Sequence, residues 1–271
     1  MIFDPNPPAH QRIRLLKAGA DSGWRVQPEG TDYAALDSPP WMTLRAERAP
    51  GSIALALADT GIALRVDPVI LHTIAAEGIG NLNDGLLLLP DFSAATVACT
   101  RAWHLARSLP TAPGDALTEA LSREGLTWSG PAGQDLDPTR ATTREAKVRL
   151  RVGQDTFRAT LMDYWEARCP LTGITDPGLL RASHIVPWSV CESDAQRLDV
   201  FNGFLLSALW DAAFDGFLVT FDETGRAVAA PALSKEAALG LNLASAPTVN
   251  LTDQHQVPLA YHRARTLDSS S

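Results

Sequence analysis

The spacing of apolar residues divides the N-terminal half of the chain into predicted helices and strands. Helical spacing predicts helices over residues 8–18, 68–77, 93–108 and 114–124. Shorter apolar runs predict strands over residues 24–26, 41–45, 52–57 and 62–66. The last two runs are joined by a turn at Asp59-Thr60-Gly61, which indicates a hairpin. This half is therefore predicted to be a mixed α+β domain.

The C-terminal half begins after residues 129–138, which are rich in turn formers. We place the domain boundary there, with one domain over residues 1–135 and a second over 140–271. Thr142-Thr143 is expected to cap a helix that Gly153 interrupts, and a second helix from Asp155 has a core-facing apolar stripe. Further predictions are strands over 169–172 and 179–186, a helix over 204–214, and a hairpin over 217–221 and 226–228.

Composition places the chain among ordinary globular proteins. Apolar residues make up 45% and charged residues 20% of its 271 positions. No run approaches the length of apolar sequence that a membrane helix needs, and residues 1–8 have neither a basic leader nor an apolar core. We therefore expect a cytoplasmic protein without a membrane partner.

The three cysteines, Cys99, Cys169 and Cys191, cannot all pair with one another, and none lies in a Cys-x-x-Cys pair. This spacing favours reduced thiols over a disulfide framework or a four-thiolate site. No structural zinc is expected.

Charge argues against indiscriminate binding to nucleic acid. The net charge is −8, whereas such binding depends on a basic surface that displaces counterions. A local group of cations nevertheless includes Arg149, Arg151 and Arg158. Arginine suits phosphate because its planar guanidinium can donate two hydrogen bonds at once. The group predicts either a DNA-binding surface or a solvated helix face.

Three residues in a strand, a loop and a helix could together hydrolyse a phosphodiester. His184 has the side chain best suited to take a proton from water near neutral pH. Asn202 offers an amide that can hold the intervening loop through backbone groups. Asp211 provides a hard oxygen ligand for Mg²⁺ or Mn²⁺. Taken singly, a strand histidine is more often a hydrogen-bonded structural residue, and an aspartate in a helix is usually a solvated surface group.

The sequence around these residues resembles the HNH endonuclease family, with its ββα-metal core. The resemblance is carried by Cys169-Pro-Leu-Thr-Gly173, Arg181-Ala-Ser-His-Ile-Val-Pro-Trp188, Leu198-Asp-Val-Phe-Asn-Gly-Phe-Leu-Leu-Ser207 and Phe214-Asp215, and it covers about residues 144–265. It implies a C-terminal ββα-metal nuclease domain with flanking helices. It also implies His184 as general base, Asn202 as the middle Asn, and Asp211 as ligand of Mg²⁺ or another divalent cation such as Mn²⁺ or Ni²⁺.

Two positions depart from the family pattern. Asp211 stands where the family usually has its last histidine, and Ser183 precedes the base where many relatives have His, Asp or Glu. A hydroxyl is a poor ligand, so we predict weak metal affinity in the absence of DNA. Arg181, three residues before His184, is a further candidate for phosphate contact or for pairing with a carboxylate.

The resemblance further implies a restriction or phage-defence enzyme whose N-terminal domain recognises DNA. Trp24, Tyr33 and Trp41 could line a pocket for a flipped, modified base, or they could be core residues. The expected partner is double-stranded DNA, and cutting both strands with one site per chain favours a homodimer. The alternative is a weakened or inactive HNH-fold protein that binds DNA or regulates another protein. A secreted nuclease toxin is disfavoured by the acidic pI and by the lack of an export signal.

Overall fold

The computed structural model describes residues 1–24, 40–46, 49–108, 111–130, 135–140 and 143–267. The chain forms two compact units, Met1–Arg107 and Ser108–Ser271. The first unit therefore ends before residues 129–138, where the sequence places its boundary. The functional division into 1–135 and 140–271 stays a prediction. The mixed α+β class is confirmed, with the nuclease-like hairpin in the C-terminal half.

In its described residues the first unit has a five-stranded antiparallel sheet and three helices. Its elements are α1 Ala9–Asp21, β1 Met42–Ala46, β2 Ala49–Ala58, β3 Gly61–Arg65, α2 Pro68–Ala76, β4 Asn81–Asn83, β5 Leu86–Leu89 and α3 Phe92–Ser108. The strands lie in the order β1-β2-β3-β5-β4. The predicted hairpin is confirmed, and Gly61 is required at its turn because a Cβ there would lie 2.3 Å from the Leu89 carbonyl oxygen.

Strands β4 and β5 of this unit were not predicted from the sequence. They pair across Asp84-Gly85, where both residues have positive φ. An Asp-Gly pair between short strands is a strong hairpin signal, so this turn could have been recognised. The strand predicted over 24–26 is not observed at Trp24, and residues 25–26 lie outside the described ranges.

The second unit is built around one long helix and a short hairpin. Its elements are α4 Thr111–Arg123, α5 Arg144–Tyr164, β6 Leu180–His184, α6 Asp194–Leu198, β7 Gly203–Ser207, α7 Ala208–Asp215, β8 Val219–Phe221, β9 Ala227–Ala229, α8 Lys235–Gly240 and α9 Asp253–Leu267. Strands β6 and β7 pair antiparallel, with His184 opposite Gly203 and Leu180 opposite Ser207. Helices α5 and α7 both pack on this hairpin.

Gly153 does not interrupt α5 as the sequence led us to expect. The helix runs unbroken from Arg144 to Tyr164, and the Thr143 hydroxyl caps it by accepting from the Ala146 N–H. Glycine inside a helix costs about 1 kcal/mol relative to alanine. Here a Cβ would lie 3.0 Å from both terminal carbons of the buried Leu136, so tertiary packing explains the glycine.

The prediction for the hairpin itself was wrong in two places. Residues 169–172 form a turn instead of a strand, since Pro170 lacks an N–H and Gly173, at φ +72°, returns the chain to the Cys169 carbonyl. The helix predicted from Phe204 begins only at Ala208, because residues 203–207 form β7 and are buried throughout. His184 is consequently at the end of the first strand of the hairpin, and Asn202 directly precedes the second.

Candidate active site

His184 is held between two aromatic rings at the end of β6. Its imidazole stacks on Phe157 of α5, with ring centroids 3.7 Å apart, and Trp188 meets it edge-on at 5.1 Å. Gly203, opposite His184, allows this arrangement because a Cβ there would lie 2.5 Å from the Phe157 ring. The apolar stripe of α5 thus supports the candidate base as well as the core.

One hydrogen bond determines which nitrogen of His184 can act as a base. Nε2 lies 3.0 Å from the backbone carbonyl oxygen of Arg197. A carbonyl can only accept, so Nε2 carries the proton and Nδ1 keeps its lone pair. Within the described part of the chain Nδ1 has no hydrogen-bond partner, and it is not among the fully buried atoms that lack one. Nδ1 is therefore the nitrogen that can accept a proton from water.

Burial keeps this imidazole neutral. It lowers the pKa of His184 to about 4, the Arg197 carbonyl opposes that effect, and the Arg197 charge adds to it. The ring therefore has its lone pair available throughout the neutral range. The ordinary pKa of a histidine would leave it partly protonated there.

Asn202 holds the loop that follows His184. Its Oδ1 accepts from the Val186 N–H at 2.8 Å, and its Nδ2 donates to the carbonyl oxygens of Val186 and Gln196 at 3.3 and 3.2 Å. The side chain is 2% exposed, and Nδ2 also lies 3.4 Å from the Cys191 sulfur. The amide thus occupies the interior of the loop, which is the clamping geometry expected from the sequence.

Asp211 lies on the other side of β6. Helix α7 runs back along the hairpin, and the Ser183 hydroxyl donates to Asp211 Oδ1 at 2.5 Å. Burial raises the pKa of this carboxyl; the Ser183 bond lowers it, the charge of Asp215 raises it further, and Arg181 lowers it. Ser183, Arg181 and both aspartates are therefore one electrostatic group.

His184 and Asp211 meet the same strand end from opposite faces. Successive side chains of a strand point to opposite sides, so Ser183 faces α7 and His184 faces α5. The Cα atoms of Ser183 and His184 are nevertheless only about 3.8 Å apart, because the two residues are consecutive. The candidate base and the candidate ligand are thus separated by a single peptide unit and one hydrogen bond.

Asp215 is a candidate ligand that was not predicted from the sequence. It follows Asp211 by four residues on α7, so both carboxylates lie on one face of the helix. This spacing is the signal that could have identified it. Within the described ranges no three His, Cys, Asp or Glu side chains converge on a preformed metal cluster.

The C-terminal helix α9 braces α7 from behind. His262 Nε2 donates to the Phe214 carbonyl oxygen at 3.0 Å, and Nδ1 lies 3.1 Å from the Thr220 hydroxyl. The imidazole also stacks on the Phe214 ring, with centroids 3.9 Å apart. Phe214 lies between the two aspartates in sequence, so His262 fixes the backbone that presents them.

All four arginines predicted to bind DNA have partners within the protein, and three of them lie away from Asp211 in these contacts. Arg149 pairs with Glu145 at 2.7 Å, and Arg151 pairs with Glu124 at 3.2 Å. Arg158 donates to the carbonyl oxygens of Leu180 and Pro177, which fixes the start of β6. DNA binding by these three stays a prediction.

Arg181 differs from these three. It is exposed and lies near Asp211, although its guanidinium also donates to the carbonyl oxygens of Gly178 and Leu180. Its predicted contact with phosphate is compatible with this position.

Two of the three residues proposed for a base pocket lie in the described part of the chain. Trp24 is fully buried and its indole N–H donates to the Cys99 carbonyl, so the ring offers no exposed face. Trp41 is half-buried beneath the Arg65 guanidinium. Tyr33 lies outside the described residues. The pocket stays a prediction, and Trp24 has the core position that was the alternative.

Residues 169–222 match the HNH endonuclease family. The matched region begins at Cys169 and includes His184, Asn202, Asp211 and Asp215. It indicates nuclease chemistry, the hydrolysis of phosphodiesters in DNA, for the C-terminal region. Residues 1–168 lie outside the match, and no curated protein matches the chain. None of the helices in the described ranges has both the length and the apolar character needed to cross a bilayer.

Proposed function

We propose that this protein is a metal-dependent DNA endonuclease in which His184 is the general base. The observation that supports this most strongly is the bond between His184 Nε2 and the Arg197 carbonyl, which leaves Nδ1 as the proton acceptor. Because burial lowers its pKa to about 4, the ring is neutral near pH 7, and its fixed tautomer leaves one lone pair available to accept a proton. The family match to the surrounding residues supports the same chemistry.

In the proposed reaction His184 activates the attacking water. As the water oxygen forms its bond to phosphorus, the water proton moves to Nδ1 and the bond from phosphorus to the leaving oxygen breaks. The resulting imidazolium keeps its Nε2–H bonded to the Arg197 carbonyl, which stabilises the positive charge. Asn202 keeps the loop that carries this carbonyl in place.

The residues near Asp211 fit a hard divalent cation. Asp211 and Asp215 offer carboxylate oxygens, which Mg²⁺ and Mn²⁺ prefer, and Mg²⁺ commonly uses only one or two carboxylates besides phosphate and water. When bound, such an ion would neutralise the scissile phosphate and the leaving oxygen. We assign Asp211 as the principal ligand and Asp215 as the second. Ser183 orients Asp211, and Arg181 is placed to contact the phosphate.

The cellular role that we propose is restriction or phage defence in the cytoplasm. A ββα-metal site addresses the phosphodiester backbone, so recognition of a sequence or a modified base requires other residues. We assign that recognition to the N-terminal domain, residues 1–135. One site per chain cuts one strand at a time, which favours a homodimer on double-stranded DNA.

A plasmid-nicking assay with the His184→Ala variant tests the proposal. Loss of a general base typically costs 10²–10⁴-fold in rate, so we expect about that loss with Mg²⁺, Mn²⁺ or Ni²⁺. DNA binding, measured by fluorescence anisotropy, should be unchanged. Cleavage by the variant at the wild-type rate would exclude His184 as the base.

The second candidate is an inactive HNH-fold protein that binds DNA or regulates another protein. Ser183 favours it, because a neutral hydroxyl occupies the place next to the base where a charged ligand would strengthen metal binding. The same assay separates the two candidates. Wild-type protein that binds DNA but fails to nick it with all three cations would favour the inactive one.

A further inference from the structure

The loop between β6 and β7 is filled by one buried guanidinium. Arg197 is 2% exposed, and each of its three nitrogens donates within the loop. Nη1 donates to Asp194 Oδ1 at 2.9 Å, Nη2 to the Cys191 carbonyl at 2.7 Å, and Nε to the Trp188 carbonyl at 3.3 Å. The charge is balanced by Asp194, whose side chain is completely buried.

The same residue contributes the carbonyl that binds His184. Arg197 lies in the last turn of α6, a helix of only five residues that has little stability of its own. Its side-chain contacts therefore determine where its backbone carbonyl points. Because this carbonyl accepts from His184 Nε2, the ion pair is connected to the candidate base through one residue.

Asp194 is also fixed from outside the loop. Trp128 Nε1 lies 3.4 Å from Asp194 Oδ2, and the Leu136 N–H donates to the same carboxylate. Trp188 in turn donates to the Leu136 carbonyl at 3.0 Å. Trp128 and Leu136, which precede α5, thus contact the loop between β6 and β7 at Asp194 and at Trp188.

We propose that Asp194 and Arg197 are positioning residues for His184. The ion pair fixes the Arg197 carbonyl, and the carbonyl fixes the orientation and tautomer of the imidazole. Without Asp194 the buried guanidinium would be unpaired, so the loop would rearrange to hydrate it. The carbonyl would then no longer select Nε2–H, and the fraction of chains with a lone pair on Nδ1 would fall.

The primary test is Asp194→Asn in the full chain, observed by nitrogen NMR of ¹⁵N-histidine-labelled protein at pH 7. The His184 signals are assigned by their loss in His184→Ala. Wild type should show one neutral tautomer, protonated at Nε2, and the variant should show a mixture of both. This readout needs neither DNA nor metal, so it does not depend on the proposed function.

The activity readout does rest on the proposed function of His184. For Asp194→Asn we expect kcat to fall about 10- to 100-fold, as is usual for residues that orient a reactive histidine. KM should stay within about twofold, since the pair does not touch DNA in this proposal. Both values are compared at a temperature where circular dichroism shows the variant folded.

Glu77→Gln is a matched control for loss of a buried ion pair. Glu77 pairs with Arg101 at 2.6 Å inside the first unit, with side-chain exposures of 19% and 8%. This variant should lose stability but keep the wild-type His184 tautomer and kcat. An equal fall of kcat in both variants would overturn the proposal, because the pair at 194 and 197 would then have only a general structural role.

Two milder variants cover the case in which Asp194→Asn does not fold. Trp128→Phe removes one hydrogen bond to Asp194, and Arg197→Lys keeps the charge but cannot reach both loop carbonyls at once. Each should shift the tautomer in the same direction by less. A wild-type tautomer in every folded variant overturns the proposal. A mixed tautomer with unchanged kcat supports the positioning role of Asp194 and Arg197, and it counts against His184 as the general base.

Discussion

The two faces of the β6–β7 hairpin differ in how many contacts within the protein fix their side chains. On the face of α5, the His184 imidazole is stacked, hydrogen-bonded and enclosed by a loop that Asn202 and Arg197 fill. On the face of α7, Asp211 has a single hydrogen bond from Ser183 and two neighbouring charges. In the proposed function, contacts within the protein would thus fix the proton acceptor, whereas the carboxylate side would be completed by cation and phosphate.

The largest expected effect is on the α7 face. Asp211→Asn removes the proposed ligand charge but can still accept from Ser183, so cleavage should fall about 10²–10⁴-fold while the melting temperature stays equal or rises slightly. The rise is expected because burial and Asp215 both disfavour the ionised carboxylate in the folded state. Nicking assays and calorimetric melting measure the two quantities. The control Glu223→Gln removes one exposed charge and should change neither; a large loss of stability in Asp211→Asn would contradict the contrast between the faces.

The next effect is on the α5 face. Asn202→Ala leaves the Val186 N–H and two loop carbonyls without their partner, so the free energy of unfolding should fall by about 2–4 kcal/mol. Urea denaturation measures this loss. Ser183→Ala removes one hydrogen bond on the α7 face and should cost only about 1 kcal/mol. Equal losses in the two variants would show that the faces are equally organised.

Acid should destabilise the fold through the buried His255. Burial lowers the pKa of His255 to about 4, so as the pH falls the unfolded chain takes up its proton first. The stability that the neutral ring contributes is complete above about pH 6.5 and is lost as the pH falls toward 4. His255→Phe should therefore lose about 2 kcal/mol less than wild type between pH 7 and pH 5.

Urea denaturation across that range measures the difference, with the exposed His72→Gln as control. If His255→Phe and wild type lose the same free energy, the buried ring is not the source of the acid sensitivity.

The smallest expected effect is the binding of metal to the free protein, which should be weak. With Asp211 and Asp215 as its two assigned ligands, the α7 face should bind Mg²⁺ with a Kd above about 0.1 mM. Isothermal calorimetry measures this value, and a non-hydrolysable DNA duplex should lower it. Micromolar binding without DNA would mean that the ligand set is already complete.

The hairpin and the helices of the first unit could be predicted because their local patterns agree with the tertiary structure, whereas β4 and β5 were not predicted. The predicted hairpin over residues 52–66 and the three helices lie within a few residues of their observed bounds. Around the candidate site the apolar pattern of the sequence does not identify the observed element. The run from Gly203 to Ser207 is buried on both faces, so its apolar character could not distinguish a strand from a helix.

The residues of the candidate site were found by their chemistry and by resemblance to a family, whereas their contacts were not. Nothing in the sequence indicates that Arg197 turns its side chain into the loop and its carbonyl toward His184. Such contacts depend on a loop closed by residues far apart in the chain, including Leu136 and Asn202. Asp215 is different, since its spacing from Asp211 was visible in the sequence.

The hydrogen bond from His262 to the Phe214 carbonyl oxygen implies an order in which the candidate site assembles during synthesis. The helix that presents Asp211 and Asp215 leaves the ribosome before α9, whose imidazole fixes the Phe214 carbonyl. At about 5–20 residues per second, α9 follows by a few seconds. A nascent chain would thus contain its hairpin and both carboxylates before it has the residue that fixes their backbone, and the candidate site would be complete only once α9 is present.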